Sequence, residues 1–306
     1  MSSVKIVAPL LLLLTAQTAL AGQAPTREEQ IRDTPITVQK ISDGLNVLYG
    51  VGGNILVSTG PQGVLTVDSQ FAGMVPKYKA TIATLGGGAI VYTINTHGHF
   101  DHVEGNTILA PDGTRFVGHE NARELMSMPR VVNLVTAQNN QPAYPEAARP
   151  SITYSREMRM YFNGRQIDLV HVGPAHTAGD TAVILRASGN SPTVVHLGDV
   201  FNMAGYPFID VDNGGDLNGV ISFCQAIIAQ IGPDAVVIPG HGKVSGYKDL
   251  VQYVEMLTAL RDRISALIAT GATMEQVAAA KPTAPWDAAR GNPTGFINRA
   301  YTSLKR

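Results

Sequence analysis

Cysteine is nearly absent: Cys224 is the only one in 306 residues. That excludes an intrachain disulfide framework and a cysteine-rich zinc module. The thiol sits in "GVISFCQAII", an apolar helix-like run, and is expected to be buried and inert. An excess of charge of one sign is also missing. Lys and Arg number 23 against 24 Asp and Glu, a formal net charge of −1, so the basic stripe of a nucleic-acid binder is not expected. Nor is there a second long apolar run. The one present, "IVAPLLLLLTA" at 6–16, follows Lys5 and leads to "ALA" ending at Ala21, matching the charged, apolar and cleavage regions of a secretory signal. It is shorter than the ~20 residues a membrane span needs. The expectation is a cleaved signal peptide over 1–21, a mature chain starting near Gly22, export to a bacterial periplasm and no stable membrane insertion. Short repeats and low-complexity tracts are missing too, which excludes a solenoid.

What is present is a rhythm of short apolar runs. Residues 22–34 are polar and read as a flexible leader. After them "ITVQKI", "LNVLYGV", "NILVSTG" and "GVLTVDS", separated by Gly and Pro, predict a β-meander. "MVPKYKATIATL" has helical spacing, and "AIVYTINT" is a buried-strand candidate. Residues 128–150, with four prolines and little periodicity, read as a long surface loop of the kind that can act as a lid. The second half repeats the rhythm: strands paired around Asn163-Gly164, then "TAVILRA", "TVVHLGD", a helix near 216–231 and "AVVIPGH". From 247 a long amphipathic helix and a helical tail follow, with a Pro-rich break at 282–285. Two strand-rich halves, each with helices, imply two sheets packed face to face with helices outside.

Three of the eight histidines crowd into "NTHGHFDHVEGN", residues 95–106. His97 and His99 flank one glycine at a strand end, and Asp101 and His102 follow as the chain turns. Imidazoles and carboxylates suit zinc, and a site with an open position can activate water. The spacing suggests two ions, so further ligands are expected at other strand ends. His176 in "GPAHTAGDT", Asp199 in "HLGDV" and His241 in "IPGHGK" fill that expectation, each beside glycine, which lets the backbone come close. His119, His171 and His196 match no ligand position and are expected to be hydrogen-bonded structural histidines.

Taken together, H-x-H-x-D-H, G-x-x-H-T-x-G-D-T, the strand-end G-D and the final P-G-H-G resemble the metallo-β-lactamase superfamily over roughly residues 35–245. The resemblance implies an α/β fold, a four-layer αββα sandwich, with 247–306 as a helical extension of the same domain. It implies that His97, His99 and His176 hold one zinc, that Asp101, His102 and His241 hold a second, and that Asp199 bridges them. Asp68, at the family's early strand-end aspartate, and Asp180 would support the ligand loops from behind. Two Zn2+ per chain are expected, with iron or manganese as alternatives. The implied chemistry is attack of a metal-held hydroxide on a carbonyl, with Asp101 orienting the nucleophile and moving its proton.

The substrate is less constrained. One large group of metallo-β-lactamases has a zinc-binding cysteine at the position of Asp199 and a lysine three residues later, where this chain has Asn202. The Asp199 pattern is similar to glyoxalase II and lactonases, yet no basic glutathione-binding region stands out, and export argues against a cytosolic thioester. The chain also looks like exported members of the superfamily named after quinoprotein relay or sulfur-oxidation clusters. A small molecule, a cyclic amide or ester such as a β-lactam or a lactone, is therefore expected, with Lys243, Asn202, Tyr206 and Phe208 as candidate contacts. The alternatives are a thioester hydrolase of glyoxalase II type and a mononuclear iron oxidoreductase resembling persulfide dioxygenase.

Overall fold

The computed structural model describes residues 25–306. The expected signal segment, 1–21, lies outside the described residues. None of the described helices is long and apolar enough to cross a membrane.

The chain opens with helix α1 (Arg27–Asp33), started by a capping box between Thr26 and Glu29. Over Arg27–Asp33 this corrects the reading of a flexible leader, of which residues 22–24 lie outside the described residues: "TREE" is a capping-box signature, and it sets a helix even without a buried face. The meander follows as β1 (Thr37–Ser42), β2 (Leu45–Tyr49), β3 (Ile55–Gly60) and β4 (Gly63–Val67), each antiparallel to the last. Helix α2 (Val75–Thr84) then crosses to β5 (Ile90–Ile94), which pairs parallel to β4. Two short helices, α3 (Phe100–Val103) and α4 (Asn106–Leu109), lead to β6 (Arg115–His119) and α5 (Glu120–Met126).

Residues 128–150 are not a plain loop. They hold a separate hairpin, β7 (Arg130–Asn133) and β8 (Gln138–Gln141), followed by a 3-10 turn at Glu146–Ala148. The sequence hid it because "QNNQ" has little strand propensity, and the turn between the strands carries Val135 at φ 70° instead of a glycine. Next, β9 (Ile152–Tyr154) joins the edge of the first sheet, beside β6, instead of pairing within the second half.

The second sheet runs β10 (Glu157–Phe162), β11 (Arg165–Val170), β12 (Ala182–Leu185), β13 (Val194–His196), then, after α6 (Leu217–Ile228), β14 (Val236–Ile238) and β15 (Ser245–Gly246). Asn163 and Gly164, both at positive φ, make the tight turn between β10 and β11 that the Asn-Gly pair predicts. Helices α7 (Tyr247–Ala269), α8 (Met274–Ala279), α9 (Ala284–Arg290) and α10 (Thr294–Leu304) complete the chain. The helical break falls just before 284, because Pro285 sits in the first turn of α9, where its missing N–H costs nothing.

Period-two alternation decides the layers. On β2 and β3, Leu45, Val47 and Leu56 face the other sheet, where Ile167, Leu169, Val183 and Leu185 meet them. Their neighbours Leu48, Ile55 and Val57 face outward onto Tyr78 and Ile82 of α2. On the far side Ile184, Val195 and Val237 pack under α6, α7 and α10 through Leu217, Phe223, Leu257 and Ile297. Both faces of both sheets are covered, which is the four-layer αββα sandwich. The helices of 247–306 share the hydrophobic core of the second sheet.

One polar cluster in the second sheet is testable alone. The buried Asp168 carboxylate accepts from Arg159 Nε at 2.7 Å, Arg186 Nε at 2.6 Å and Gln166 Nε2 at 3.0 Å. Burial opposes its charge, but these bonds outweigh it and hold the carboxyl below its usual range. Asp168→Asn is expected to cost about 1–3 kcal/mol at pH 7. A depressed carboxyl stabilises above its unfolded pKa of ~3.9, and the effect fades as pH falls through the lower folded value. Urea melts at pH 7 and pH 3 should therefore show the gap between wild type and variant closing in acid.

Candidate metal centre

β11 and β13 both run antiparallel to β12, so they point the same way, and β14 is parallel to β13. In the first sheet β4 and β5 are parallel. The seven expected ligands, with Asp68 behind them, all lie in loops leaving these strands at their C-terminal ends: Asp68 after β4, the 95–102 cluster after β5, His176 after β11, Asp199 after β13 and His241 after β14. Such ends gather side chains from segments far apart in sequence.

The structure brings all seven together. Their donor atoms form three overlapping groups, His97 with His99 and His176, His97 with His102 and Asp199, and Asp101 with His102 and His241, each spanning no more than 4.8 Å. Asp199 joins the groups: its Oδ1 is 3.1 Å from His102 Nε2 and 3.5 Å from His241 Nε2, and its Oδ2 is 3.7 Å from His176 Nε2. Asp101 Oδ2 is 3.1 Å from His241 Nε2. Gly240 makes this approach feasible, since a Cβ there would stand 1.9 Å from Asp199 Oδ1. Gly53 does the same for the ring of His102, with a Cβ falling 2.1 Å from it.

The hydrogen bonds behind the rings fix which nitrogen each one offers. His176 Nδ1 donates to the Phe208 carbonyl at 2.7 Å, and His99 Nε2 donates to Asp210 Oδ2 at 2.8 Å. The nitrogens left over, His176 Nε2 and His99 Nδ1, face each other at 2.9 Å. Two bare lone pairs so close call for a cation. Thr96 Oγ1 donates to Asp68 Oδ2 at 2.8 Å, so toward His97 Nδ1, 3.0 Å away, it can only accept. That leaves His97 Nε2 bare, and it is buried without a hydrogen-bond partner among the described residues, as is Asp199 Oδ1. Asp68 Oδ2 also accepts from His102 Nδ1 at 2.7 Å, aiming His102 Nε2 at Asp199.

Electrostatics separate the two sides. Burial, with neighbouring imidazoles, pushes His97 well below its ordinary pKa, and burial takes His176 down to about 4. Both rings are neutral ligands at pH 7. On the other side burial opposes charge, yet Asp199, Asp101 and Asp68 raise His102 well above its usual range, and Asp199 and Asp101 take His241 up to about 10. Desolvation likewise works against Asp199, but His241 and His102 hold it well below the carboxylate range. Two neutral imidazoles, with His99 completing their group, beside a carboxylate-rich imidazole pair form a donor set that fits two divalent ions.

The remaining expectations sort by contact. Asp180 accepts from Thr177 N and Oγ1, both at 2.8 Å, and so braces the loop just beyond His176 without touching a ligand ring. Phe208 stands 5.8 Å from His176 and 6.1 Å from His99 between ring centroids, an apolar wall. Asn202 is occupied by its own turn, its Oδ1 accepting from Ala204 N at 2.8 Å. Tyr206 donates to Asp287 Oδ1 at 2.9 Å and stacks on Phe296, tying its loop to the C-terminal helices. Lys243 is exposed. His119 Nε2 donates to Ser155 O, His171 Nδ1 to Asp180 O and His196 Nε2 to Asn54 O, all structural bonds, and Cys224 is fully buried.

Two residues escaped the sequence reading. Asp210 orients His99 as Asp68 orients His102. Asn54 donates from Nδ2 to Pro239 O and Gly242 O, both at 2.8 Å, and its N–H reaches Gly240 O, pinning the loop of His241 to the loop that covers His102.

A four-layer sandwich with histidines and aspartates converging at its strand ends defines a class of metal-binding αββα proteins. Residues 46–241 match the sequence model of the metallo-β-lactamase superfamily, and the chain belongs to that superfamily. Solved structures share the fold at low identity. One is a B3 metallo-β-lactamase with an active-site glutamic acid, 15% identical, TM-score 0.59, with 77% of this chain and 94% of that one covered. Another is a Cronobacter sakazakii metallo-β-lactamase with a HARLDQ motif, 17% identical, TM-score 0.61, covering 78% and 97%. A third is a stereoselective inverting sec-alkylsulfatase from Pseudomonas sp., 14% identical, TM-score 0.64, covering 87% of this chain and 50% of that one. Among curated proteins none matches.

Proposed function

We propose that the protein is an exported hydrolase with two zinc ions that opens a cyclic amide or ester, a β-lactam or a lactone, in the periplasm. The observation that carries this reading is the overlapping donor set, in which one carboxylate, Asp199, faces imidazoles of both groups. Bound divalent ions supply Lewis acidity toward a carbonyl and bring the pKa of water toward ~7. His97, His99 and His176 would hold one ion and Asp101, His102 and His241 the other, with Asp199 placed between the two groups. Asp101, partly open to solvent, is placed to orient the attacking water and accept its proton. Phe208 gives the bound ring an apolar wall. Export rests on the signal-like segment at 1–21, and β-lactam or lactone chemistry rests on the structural likenesses and the Asp199 pattern.

The test is metal analysis of the purified mature protein together with a hydrolysis screen against a cephalosporin, a carbapenem, a lactone and a thioester. Two zincs per chain are expected, with hydrolysis of the cyclic substrates that is lost on chelation and restored by zinc. Turnover of the thioester alone would overturn the substrate class. One iron per chain without hydrolysis would favour the oxidoreductase alternative.

A further inference from the structure

Two of the histidines left out of the metal centre lie face to face. The rings of His119, at the end of β6, and His171, just after β11, stack with centroids 3.7 Å apart and planes 21° from parallel. Their hydrogen bonds suit neutral rings. His119 Nε2 donates to Ser155 O at 2.9 Å, and its Nδ1 accepts the Asn121 N–H at 3.1 Å, capping α5. A proton on that Nδ1 would face another donor and undo the cap. His171 Nδ1 donates to Asp180 O at 2.8 Å, so a second proton could go only to Nε2, putting a half-buried charge against the ring of His119.

The pair stands behind the two loops that supply His97, His99 and His176. Helix α5, which His119 caps, touches both. Gly98, between His97 and His99, packs on Ala122, where a Cβ would meet the carbonyl oxygen at 3.3 Å, and a Cβ on Gly179 would stand 2.4 Å from Ala122 N. Asn121 Nδ2 donates to Ala178 O at 2.9 Å. His171, for its part, holds Asp180, whose carboxylate accepts from Thr177, next to His176. Charged and titratable groups face the pair from the neighbouring elements. Glu120 of α5 acts on His171, and Tyr154 of β9 meets the His119 ring edge-on at 5.8 Å with its hydroxyl on Thr181. Arg156, between β9 and β10, accepts the His171 N–H at its carbonyl. Burial, with His119 beside it, holds His171 below its ordinary pKa, against the pull of the Asp180 carbonyl and Glu120.

We propose that His119 and His171 are paired positioning residues for the His97–His99–His176 group, holding its two loops in place only while both rings are neutral. This rests on the two-zinc reading above and adds to it a release in mild acid. Once the stack opens, each exposed ring takes a proton near ~6.5, and the closed stack takes fewer. The closed arrangement therefore bears no penalty well above that value and loses ground as pH falls through it.

The test reads the purified mature protein with and without zinc. Amide hydrogen exchange over 120–123 and 177–181, corrected for the intrinsic effect of pH on exchange, is compared at pH 7.5 and pH 5.5. Without zinc, wild type is expected to lose protection in both segments by at least about 10-fold in acid, the shift that one linked proton gives over a pH unit. His119→Asn keeps an acceptor for the cap and His171→Asn an N–H for the Asp180 carbonyl, and neither titrates. The double variant should hold its protection to within about 2-fold. At pH 5.5 it should bind zinc about 10-fold more tightly than wild type, while the two agree at pH 7.5. His171→Asn alone leaves the His119 cap untouched and carries the test should the double variant not fold: it should lessen the acid loss by at least about 3-fold. Protection in wild type that is the same at both pH values, or an acid loss that survives the substitutions, overturns the proposal. Acid loss confined to wild type, with no zinc bound at either pH, would leave the paired histidines standing and sink the two-zinc reading. Zinc bound by both proteins with one and the same pH dependence would do the reverse.

Discussion

Asp199→Asn is expected to lower both stable zinc occupancy and hydrolysis by about 10²–10⁴-fold, the scale set by removing one partner from a buried charge cluster, ~3–5 kcal/mol. The substitution keeps the volume of the side chain and removes its charge. Asp199 is the carboxylate with one oxygen toward His102 and His241 and the other toward His176. An amide in its place would offer one weak oxygen to one side and an N–H to the other. The Asp199 carboxylate lies so close to Gly240 that a Cβ there would collide with its Oδ1, so the isosteric asparagine is the replacement that keeps the packing. Zinc per chain after dialysis and kcat/KM at saturating zinc are the measurements. Unchanged zinc content would show that the two groups bind independently and that Asp199 is no bridge. The same substitution at Asp101 should affect the His102–His241 side first, because its close contact is to His241.

What the sequence made legible follows from how local each signal is. H-x-H-x-D-H places four donors within six residues, so its chemistry is readable without a fold. The Asn163-Gly164 turn and the meander are readable for the same reason, since a tight turn and a two-residue alternation are local rules. Asp210 shows where this stops. In "FIDVDNGGD" three acids stand close together and serve different ends. Asp210 orients His99, Asp212 pairs with Arg299, and Asp216 caps α6 by accepting from Gly219 N. Only the fold distinguishes them, because the partner of Asp210 is 111 residues away. Asn54 is harder still, as its partners at 239–242 are backbone carbonyls that any sequence would supply. The β7–β8 hairpin was hidden by composition. Its polar strand "QNNQ" is held by pairing with β7 and by the bond from Gln141 to Gly98, tertiary contacts that override weak propensity.

Asp68→Asn tests a less visible dependence, and its effect is expected to reach both ions. Asp68 Oδ2 accepts from His102 Nδ1 and from Thr96 Oγ1, and the Thr96 hydroxyl accepts in turn from His97 Nδ1. One oxygen thus sets the tautomer of a ligand in each group, leaving Nε2 of both rings free for metal. Asp68 Oδ1 accepts the Thr96 N–H at 2.8 Å, so an asparagine is expected to keep its oxygen there and present its NH2 where Oδ2 was. Facing a donor, a His102 ring that has given up its extra proton to bind metal would have to turn its Nδ1 into an acceptor, which places its remaining proton on Nε2, toward the metal. The Thr96 hydroxyl, now receiving from the amide, is free to donate to His97 Nδ1, with the same consequence. Loss of an outer hydrogen-bond partner of this kind typically costs 10–100-fold in metal affinity, and acting on both ions it should lower occupancy of the complete centre by about 10²–10⁴-fold. The backbone of Asp68 is at φ 66°, a conformation asparagine tolerates well, so the variant is expected to fold with native circular dichroism and weakened zinc binding. A single lost ion, with the His97 group still tightly occupied, would break the proposed relay at Thr96 and confine Asp68 to His102. Thr96→Val separates the two branches: it removes the link to His97 while leaving the bond from Asp68 to His102, so zinc should weaken on the His97 side alone.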